Sequence, residues 1–294
     1  MSVRSVSGVS LLRLTEGKTS APSVRSRKRI KVSIFRWILP NSRMPALSEI
    51  VRYADETLRL TEIEDYPNAL NGLQIENSGE VTRIGAAVDG SGATIALAAA
   101  RGIDLLVVHH GLFWPGLRAI SGAFYRALKL AFEKNLALYS VHLPLDLHPR
   151  LGNNALLAAA LGFEKTEPFL ELKGQPAGLV TETTLRRDEL IDRLEKSLGG
   201  AVRCIGTGPM ETKRIGIVTG AAGEDIYAAA REGIDTYITG EGPHWAAVAA
   251  EELGINLFLA GHYATETFGV KALAAELSER FGVPWEFLDH PTGL

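Results

Sequence analysis

Residues 83–111 read "RIGAAVDGSGATIALAAARGIDLLVVHHG", and this stretch decides the fold. Its pattern predicts a strand, a Gly-rich turn, an Ala-rich helix that stops at a glycine, and a second strand. A second copy, "RIGIVTGAAGEDIYAAAREGIDTYITGEG", aligns with it without gaps over residues 214–242. An internal repeat of this kind predicts one βαβ unit used twice.

A further strand is predicted after each copy, because "LALYSVH" ends at His142 and "INLFLAGH" ends at His262. Strands that alternate with helices indicate mainly parallel sheets with helices on both faces. We therefore expect an α/β protein with two lobes of similar, internally repeated βαβ topology and a metal site in the cleft between them. The predicted lobes are residues 44–170 and 171–294, with the C-terminal tail returning to the first lobe.

The first 43 residues differ in composition from the rest of the chain. They contain seven Arg and three Lys against one acid, Glu16. They are interpreted as a disordered basic extension, or as the product of a start assigned upstream of Met44; the composition also resembles that of a targeting peptide. The remaining residues are strongly acidic, which argues against nucleic acid as a partner.

Other compositional features limit the class of protein. No apolar run approaches the roughly 18 residues that a membrane span needs, and no secretory signal is recognisable. We therefore expect a soluble, cytoplasmic protein that has no membrane partner. The single cysteine, Cys204, excludes an internal disulfide framework and a thiolate metal cage. Any metal must then be held by nitrogen and oxygen atoms.

Three groups of candidate ligands stand where predicted strands end. They are His109 with His110, His142 with Asp146, and His262 with Glu266. A lone histidine at a strand end usually has a structural role, but these groups use four of the seven histidines. The carboxyl ends of strands form the ligand-binding edge of an α/β sheet. The grouping therefore favours a shared site.

The spacing of these residues suggests two metal positions. The side chains of adjacent strand residues diverge, so Gly111 is expected to let the chain turn after His109 and His110, each serving a different metal. His142 and Asp146, four apart in an extended segment, are expected to face one pocket. Glu266 is expected in the first helical turn after His262, where a carboxylate can bridge two cations.

Three residues are predicted to face substrate or to orient the ligands, and His142 is one of them. Glu241 and His244 stand near the position in the second repeat that matches the histidine pair, although the same residues suit the start of a helix. His142 is either an additional ligand or a residue that orients one.

Several segments carry a resemblance to a known family. They are "NGLQIE", "DLLVVHHGLFW", "VHLPLDLHPRLGNNALLAAALG", "TGEGPHWAA", "LAGHYATETFGVKAL" and "FLDHPTGL". In this order they resemble the Nif3-like family, also described as dinuclear metal centre proteins or GTP cyclohydrolase I type 2 homologues. The resemblance covers essentially everything from Met44 to Leu294.

The resemblance implies two related α/β lobes, a di-metal centre in their cleft and a toroidal homohexamer. The implied ligands are His109, His110, Asp146 and His262, with Glu266 as the bridge. The short stretch between Leu161 and Arg214 implies the compact form of the family, without an inserted domain.

The predicted function is a dinuclear metal-dependent hydrolase that acts on a nucleotide-like or other small polar substrate. It would hold two divalent ions per chain, of Zn, Mn or Fe(II), and use water placed between them. The alternative is a non-catalytic regulatory or interaction protein whose di-metal site is structural or serves metal handling. The enzyme is slightly favoured, because ligands shared between two ions leave coordination positions open.

Overall fold

The computed structural model describes residues 44–294. The predictions made for residues 1–43 lie outside the described residues. Within 44–294, no helix combines the length and the apolar character that crossing a bilayer requires.

Strands and helices alternate over much of residues 44–294. In its first part the elements are α1 (Leu47–Leu58), β1 (Gly72–Ile75), β2 (Ile84–Asp89), α2 (Gly92–Ala100), β3 (Leu105–His110), α3 (Gly122–Glu133), β4 (Ala137–Ser140), α4 (Leu143–Asp146) and α5 (Asn153–Ala160). They are followed by β5 (Glu167–Leu172), β6 (Gln175–Arg186), α6 (Arg187–Leu198), β7 (Arg203–Gly206), β8 (Glu211–Val218), α7 (Ile226–Arg231), β9 (Thr236–Thr239), α8 (His244–Leu253), β10 (Asn256–Leu259), α9 (His262–Thr265), α10 (Thr267–Phe281) and β11 (Trp285–Phe287).

The first sheet has the strand order β1-β4-β3-β2-β11. All neighbours in it are parallel except β1, which runs antiparallel to β4. Strand β3 is buried on both faces: Leu105 and Val107 pack towards α1 and α10, and Leu106 and Val108 pack towards α2 and α3. This double burial explains why β3 reads as an uninterrupted apolar run that ends in histidines.

The second sheet has the order β5-β6-β8-β9-β10-β7. Only its central strands, β8, β9 and β10, are parallel to one another. The other three pairings are antiparallel, so the expectation of mainly parallel sheets was wrong for this sheet. β5 and β6 form a hairpin, whose two-residue connection requires antiparallel pairing, while β6 pairs antiparallel with β8 and β7 joins the far edge antiparallel to β10.

The predicted βαβ repeat is confirmed. In the first copy Ile84 pairs with Leu105, and in the second Ile215 pairs with Thr236, at matching positions of the two copies. A 3₁₀ turn, Gly223–Asp225, runs into α7, and together they cover the positions that α2 covers in the first copy. The α/β fold class is therefore as expected from residues 83–111.

The end of the chain contributes to the first sheet. Strand β11 pairs in parallel with β2, and α10 covers one face through Val270, Leu273 and Leu277. The predicted boundary between residues 170 and 171 falls inside β5, which begins at Glu167. The division into two lobes stays a prediction.

Candidate metal centre

The two adjacent histidines end β3, and each has one ring nitrogen against an acceptor. His109 is fully buried, and its Nδ1 lies 2.9 Å from the carbonyl oxygen of Val141. His110 Nδ1 lies 2.9 Å from Oδ1 of Asp89, its register partner on β2. A carbonyl or carboxylate oxygen can only accept a hydrogen bond, so both Nδ1 atoms carry the hydrogen and donate it. In the neutral rings, Nε2 then presents a lone pair.

Gly111, which follows the pair, is needed for a reason other than the one predicted. Its backbone does not adopt a positive φ, so freedom to turn is not what the position requires. A Cβ there would lie 2.2 Å from Nε2 of Gln74 and 2.6 Å from Oγ of Ser140. The position therefore demands a small residue, because neighbouring side chains pack directly against its backbone.

Glu266 faces three imidazoles. Its Oε1 lies 3.5 Å from Nε2 of His109. Its Oε2 lies 3.5 Å from Nε2 of His110 and 3.0 Å from Nε2 of His262. Glu266 was expected in the first helical turn after His262. It lies at the junction of α9 and α10, because His262 itself begins the one-turn helix α9, and the four-residue spacing brings both side chains together.

Two glycines of the second repeat make room for the cluster, Gly220 for the carboxylate of Glu266 and Gly240 for the backbone of His262. Gly220 has a φ of +73°, and a Cβ there would lie 2.2 Å from Oε1 of Glu266. A Cβ on Gly240 would lie 2.7 Å from Cα of His262. In the first repeat, the equivalent positions hold Asp89 and His109. One copy thus supplies side chains where the other supplies space.

Asp146 is brought to the same place by a helix. The expectation of an extended segment from His142 to Asp146 was wrong, because Leu143–Asp146 forms the one-turn helix α4. Pro144 lies in its first turn, where the missing N–H costs no hydrogen bond. Asp146 Oδ2 lies 3.4 Å from Nε2 of His109, so His109 stands between two carboxylates.

Three buried polar atoms in this cluster have no hydrogen-bond partner. They are Nε2 of His109, Nε2 of His262 and Oε2 of Glu266. Buried polar groups without a partner are rare and costly in proteins. Imidazole nitrogens and carboxylate oxygens that converge in this way are matched by a divalent cation, and this donor set suits Zn, Mn or Fe(II). The residues therefore fit a metal.

Without a metal, neighbouring carboxylates favour the protonated form of His109 and His262, but not of His110. Burial alone would lower the pKa of His109, but Asp146 and Glu266 raise it well above its usual value. In His262 the effect of burial is likewise outweighed by Glu266 and Glu241, which raise its pKa to about 9. Burial lowers the pKa of His110. Burial would raise the pKa of Glu266, yet the surrounding imidazoles lower it.

Carboxylates outside the cluster orient its imidazoles. Glu241 Oε1 lies 3.1 Å from Nδ1 of His262, and Asp65 Oδ1 lies 2.9 Å from Nδ1 of His142. With Asp89 they form the outer acceptors that typically fix a metal-binding histidine. Asp65 and Asp89 were not predicted. Asp89 could have been found as the last residue of the strand beside His110, whereas Asp65 lies in a loop without a signal.

The remaining predicted residues differ in their placement. The ring centroid of His142 lies 4.9 Å from that of His109 and 5.7 Å from that of His110. One ring nitrogen from each of the three lies within 4.8 Å of the others, so His142 is close enough to share a metal. His244 is exposed at the start of α8 and makes no hydrogen bond or ion pair with this cluster in residues 44–294.

A cavity of about 280 Å³ opens onto the cluster. Tyr66 and Trp114 form an aromatic wall, and their ring centroids lie 6.3 Å apart. A second cavity of about 460 Å³ shares His110 and Trp114 with the first. The candidate ligands therefore border space that a small molecule can occupy.

Comparison with known proteins gives a consistent result. A family model described as Duf34/NIF3 (NGG1p interacting factor 3) matches residues 45–292. A Deinococcus radiodurans protein named GTP cyclohydrolase 1 type 2 homolog is 43% identical over 251 residues, covering 84% of this chain and 94% of the relative. A Pyrococcus abyssi protein of the same name is 43% identical over 250 residues, covering 84% and 98%.

Solved structures agree with these relatives. The crystal structure of TTHA1606 from Thermus thermophilus superposes with a TM-score of 0.77 at 39% identity. The match covers 84% of this chain and 99% of the Thermus chain.

Proposed function

This chain belongs to the Duf34/NIF3 family, as its motifs predicted, and from that premise we propose that it binds two divalent metal ions. The ligands would be His109, His110, Asp146, His262 and Glu266. The observation that carries the proposal is the convergence of the three unpartnered buried atoms on His109, His262 and Glu266. Two cations, one bound by His109 and one bound by His262 and Glu266, would satisfy all three atoms, whereas no single proton can.

The two oxygens of Glu266 divide the ligands into two sets. Oε1 faces His109, whose Nε2 also faces Asp146. Oε2 faces His110 and His262. Each set contains imidazole nitrogen together with a carboxylate oxygen, so each suits one divalent ion. The arrangement supports two ions with Glu266 between them.

We further propose that the protein is a metal-dependent hydrolase. Two bound divalent cations would polarise a substrate oxygen and acidify water. The chain itself would hold the imidazoles in place, through Asp89 on His110 and Glu241 on His262. Tyr66 and Trp114 would shield one side of the cavity from solvent.

The size and lining of the cavity support a small polar substrate. About 280 Å³ is close to the lower end of ordinary ligand pockets, and the adjoining cavity beyond His110 and Trp114 extends the available space. The aromatic wall suits a planar ring, in line with the nucleotide chemistry in the names of the Deinococcus and Pyrococcus relatives.

The metal proposal is tested by removing metal with a chelator and reloading the protein with Zn²⁺, Mn²⁺ or Fe²⁺. Elemental analysis is expected to find about two equivalents per chain for at least one metal. Failure of all three metals to bind would overturn the proposal.

The hydrolase proposal is tested with nucleotides and phosphoesters, assayed with and without chelator. Turnover is expected in the metal-loaded protein and not in Glu266→Gln. Two bound metals without turnover on any of these substrates would instead favour the metal-handling alternative. The homohexamer and the cytoplasmic location stay predictions, and light scattering and cell fractionation would check them.

A further inference from the structure

We propose that Asn153 is a positioning residue that sets one of the two metal sites by holding Asp146. The proposal rests on the proposed metal function. Asn153 is fully buried, and its Nδ2 donates to Oδ1 of Asp146 at 2.7 Å. Because Oδ1 is engaged in this way, Oδ2 is the oxygen that faces His109.

The side chain of Asn153 also contacts the helix that follows Glu266, the second carboxylate of the cluster. Asn153 Oδ1 accepts the backbone N–H of Gly269 at 2.7 Å. Gly269 lies in the first turn of α10, which begins directly after Glu266. One amide therefore ties Asp146, from the first part of the chain, to the helix that follows Glu266. These are the two carboxylates between which Nε2 of His109 stands, at 3.4 and 3.5 Å.

A structural role at the start of α5 does not account for Asn153. The N-cap of α5 is Gly152, and Asn153, the first helical residue, spends both polar atoms of its side chain on other segments. The backbone of α10 also leaves room for this side chain at Gly269, where a Cβ would lie 2.9 Å from Oδ1 of Asn153. Its chemistry is also specific: an amide donates to a carboxylate without neutralising it, so Asp146 keeps its charge for a cation.

The test compares Asn153→Leu with Asn256→Leu. Asn256, in β10 of the second sheet, is equally buried, but it bonds Arg187 at the start of α6 and Gly208 and Pro209 in the loop before β8, and not the cluster. Metal-free parent and variants are titrated with Zn²⁺ by calorimetry. In Asn153→Leu one of two sites is expected to weaken about 10- to 100-fold, the other staying within about twofold. Asn256→Leu is expected to keep both Zn²⁺ affinities, even if its melting temperature falls as far as that of Asn153→Leu.

A second variant covers the case in which Asn153→Leu does not fold. Gly269→Ala would place a Cβ 2.9 Å from Oδ1 of Asn153 and 2.9 Å from Cγ of Leu145, which precedes Asp146; it removes no polar group, and it is expected to weaken the same site. If the parent binds two Zn²⁺ and the folded variants bind both as tightly as the parent, the role of Asn153 is overturned. If the parent itself binds none, the proposed metal function fails instead.

Discussion

Asp89 and His110 are partners across the parallel strands β2 and β3, and the carboxylate of Asp89 lies 2.9 Å from Nδ1 of His110. The pairing fixes which nitrogen of His110 faces Glu266. A backbone register that the apolar strands establish thus determines the orientation of a predicted metal ligand.

Removing this carboxylate is expected to weaken one metal site. In Asp89→Ala, His110 loses the acceptor that orients its ring. The Zn²⁺ affinity of the site that His110 shares with His262 and Glu266 should therefore fall about 10- to 100-fold. Asp89→Asn keeps an acceptor oxygen and should lose less. Calorimetric titration measures both, with the exposed Asp188→Ala as the control; equal affinities in Asp89→Ala and this control would contradict the prediction.

Substitutions of the ligands should separate the two sites. Glu266→Gln removes a carboxylate that faces both sets, so both Zn²⁺ equivalents should be reduced. His109→Ala and His110→Ala should each empty mainly a different site. Elemental analysis after dialysis measures the stoichiometry. Equal metal content in Glu266→Gln and the parent would remove Glu266 from the bridge.

Metal binding should strengthen as pH rises from about 6.5 to 9. The pKa of His262 in the metal-free protein is raised to about 9, so a metal must displace its proton over this range. Loss of one proton makes the apparent affinity rise up to about tenfold per pH unit. Titrations in two buffers with different ionisation enthalpies detect the released proton. Zn²⁺ binding without proton release at pH 7.5 would show that His262 is not protonated there.

The same shift predicts how the stability of the metal-free protein changes with pH. The folded pKa of His262 exceeds its usual value of 6.5, so its pairing with Glu266 stabilises the fold fully below about pH 6.5 and is lost as pH rises through 9. The melting temperature of the metal-free parent should decline over this window. Glu266→Gln should decline less, because it lacks the paired carboxylate.

Two glycines with similar backbones should respond differently to alanine. Gly220 and Gly233 have φ values of +73° and +77°, so alanine at either costs about 1 kcal/mol or more of unfolding free energy. Only at Gly220 does the new Cβ meet Oε1 of Glu266. Gly220→Ala should therefore lose Zn²⁺ while Gly233→Ala keeps it, as elemental analysis and thermal melts would show. Full Zn²⁺ content in Gly220→Ala would contradict the placement of Glu266.

The sequence predicted the fold well where a pattern repeats. The two βαβ copies are visible because the second matches the first without gaps, because β3, buried on both faces, is an apolar run, and because a glycine follows the helix of each copy. The β5–β6 hairpin was missed because residues 167–186 carry no repeat. A hairpin is only recognisable in sequence by its turn, here at Lys173 and Gly174.

That the candidate ligands would lie close together was predictable, because histidines are few and stand at strand ends or just after them; their role as metal ligands stays a prediction. Their partners were less visible. Asp65 lies in a loop far from His142 in sequence, and Asn153 resembles an ordinary residue at a helix start. A hydrogen bond between distant segments leaves no periodic trace in a single sequence, whereas a strand end does.

The return of α10 and β11 to the first sheet has a consequence for how the protein is made. Synthesis delivers β2, β3 and β4 long before the helix that covers one of their faces and the strand that completes their edge. His109, His110 and Asp146 emerge early as well, but Glu266 follows only near the end. A nascent chain therefore carries a sheet with one apolar face covered only in part, by α1, until translation is almost finished, and it acquires the complete set of candidate metal-binding side chains only then.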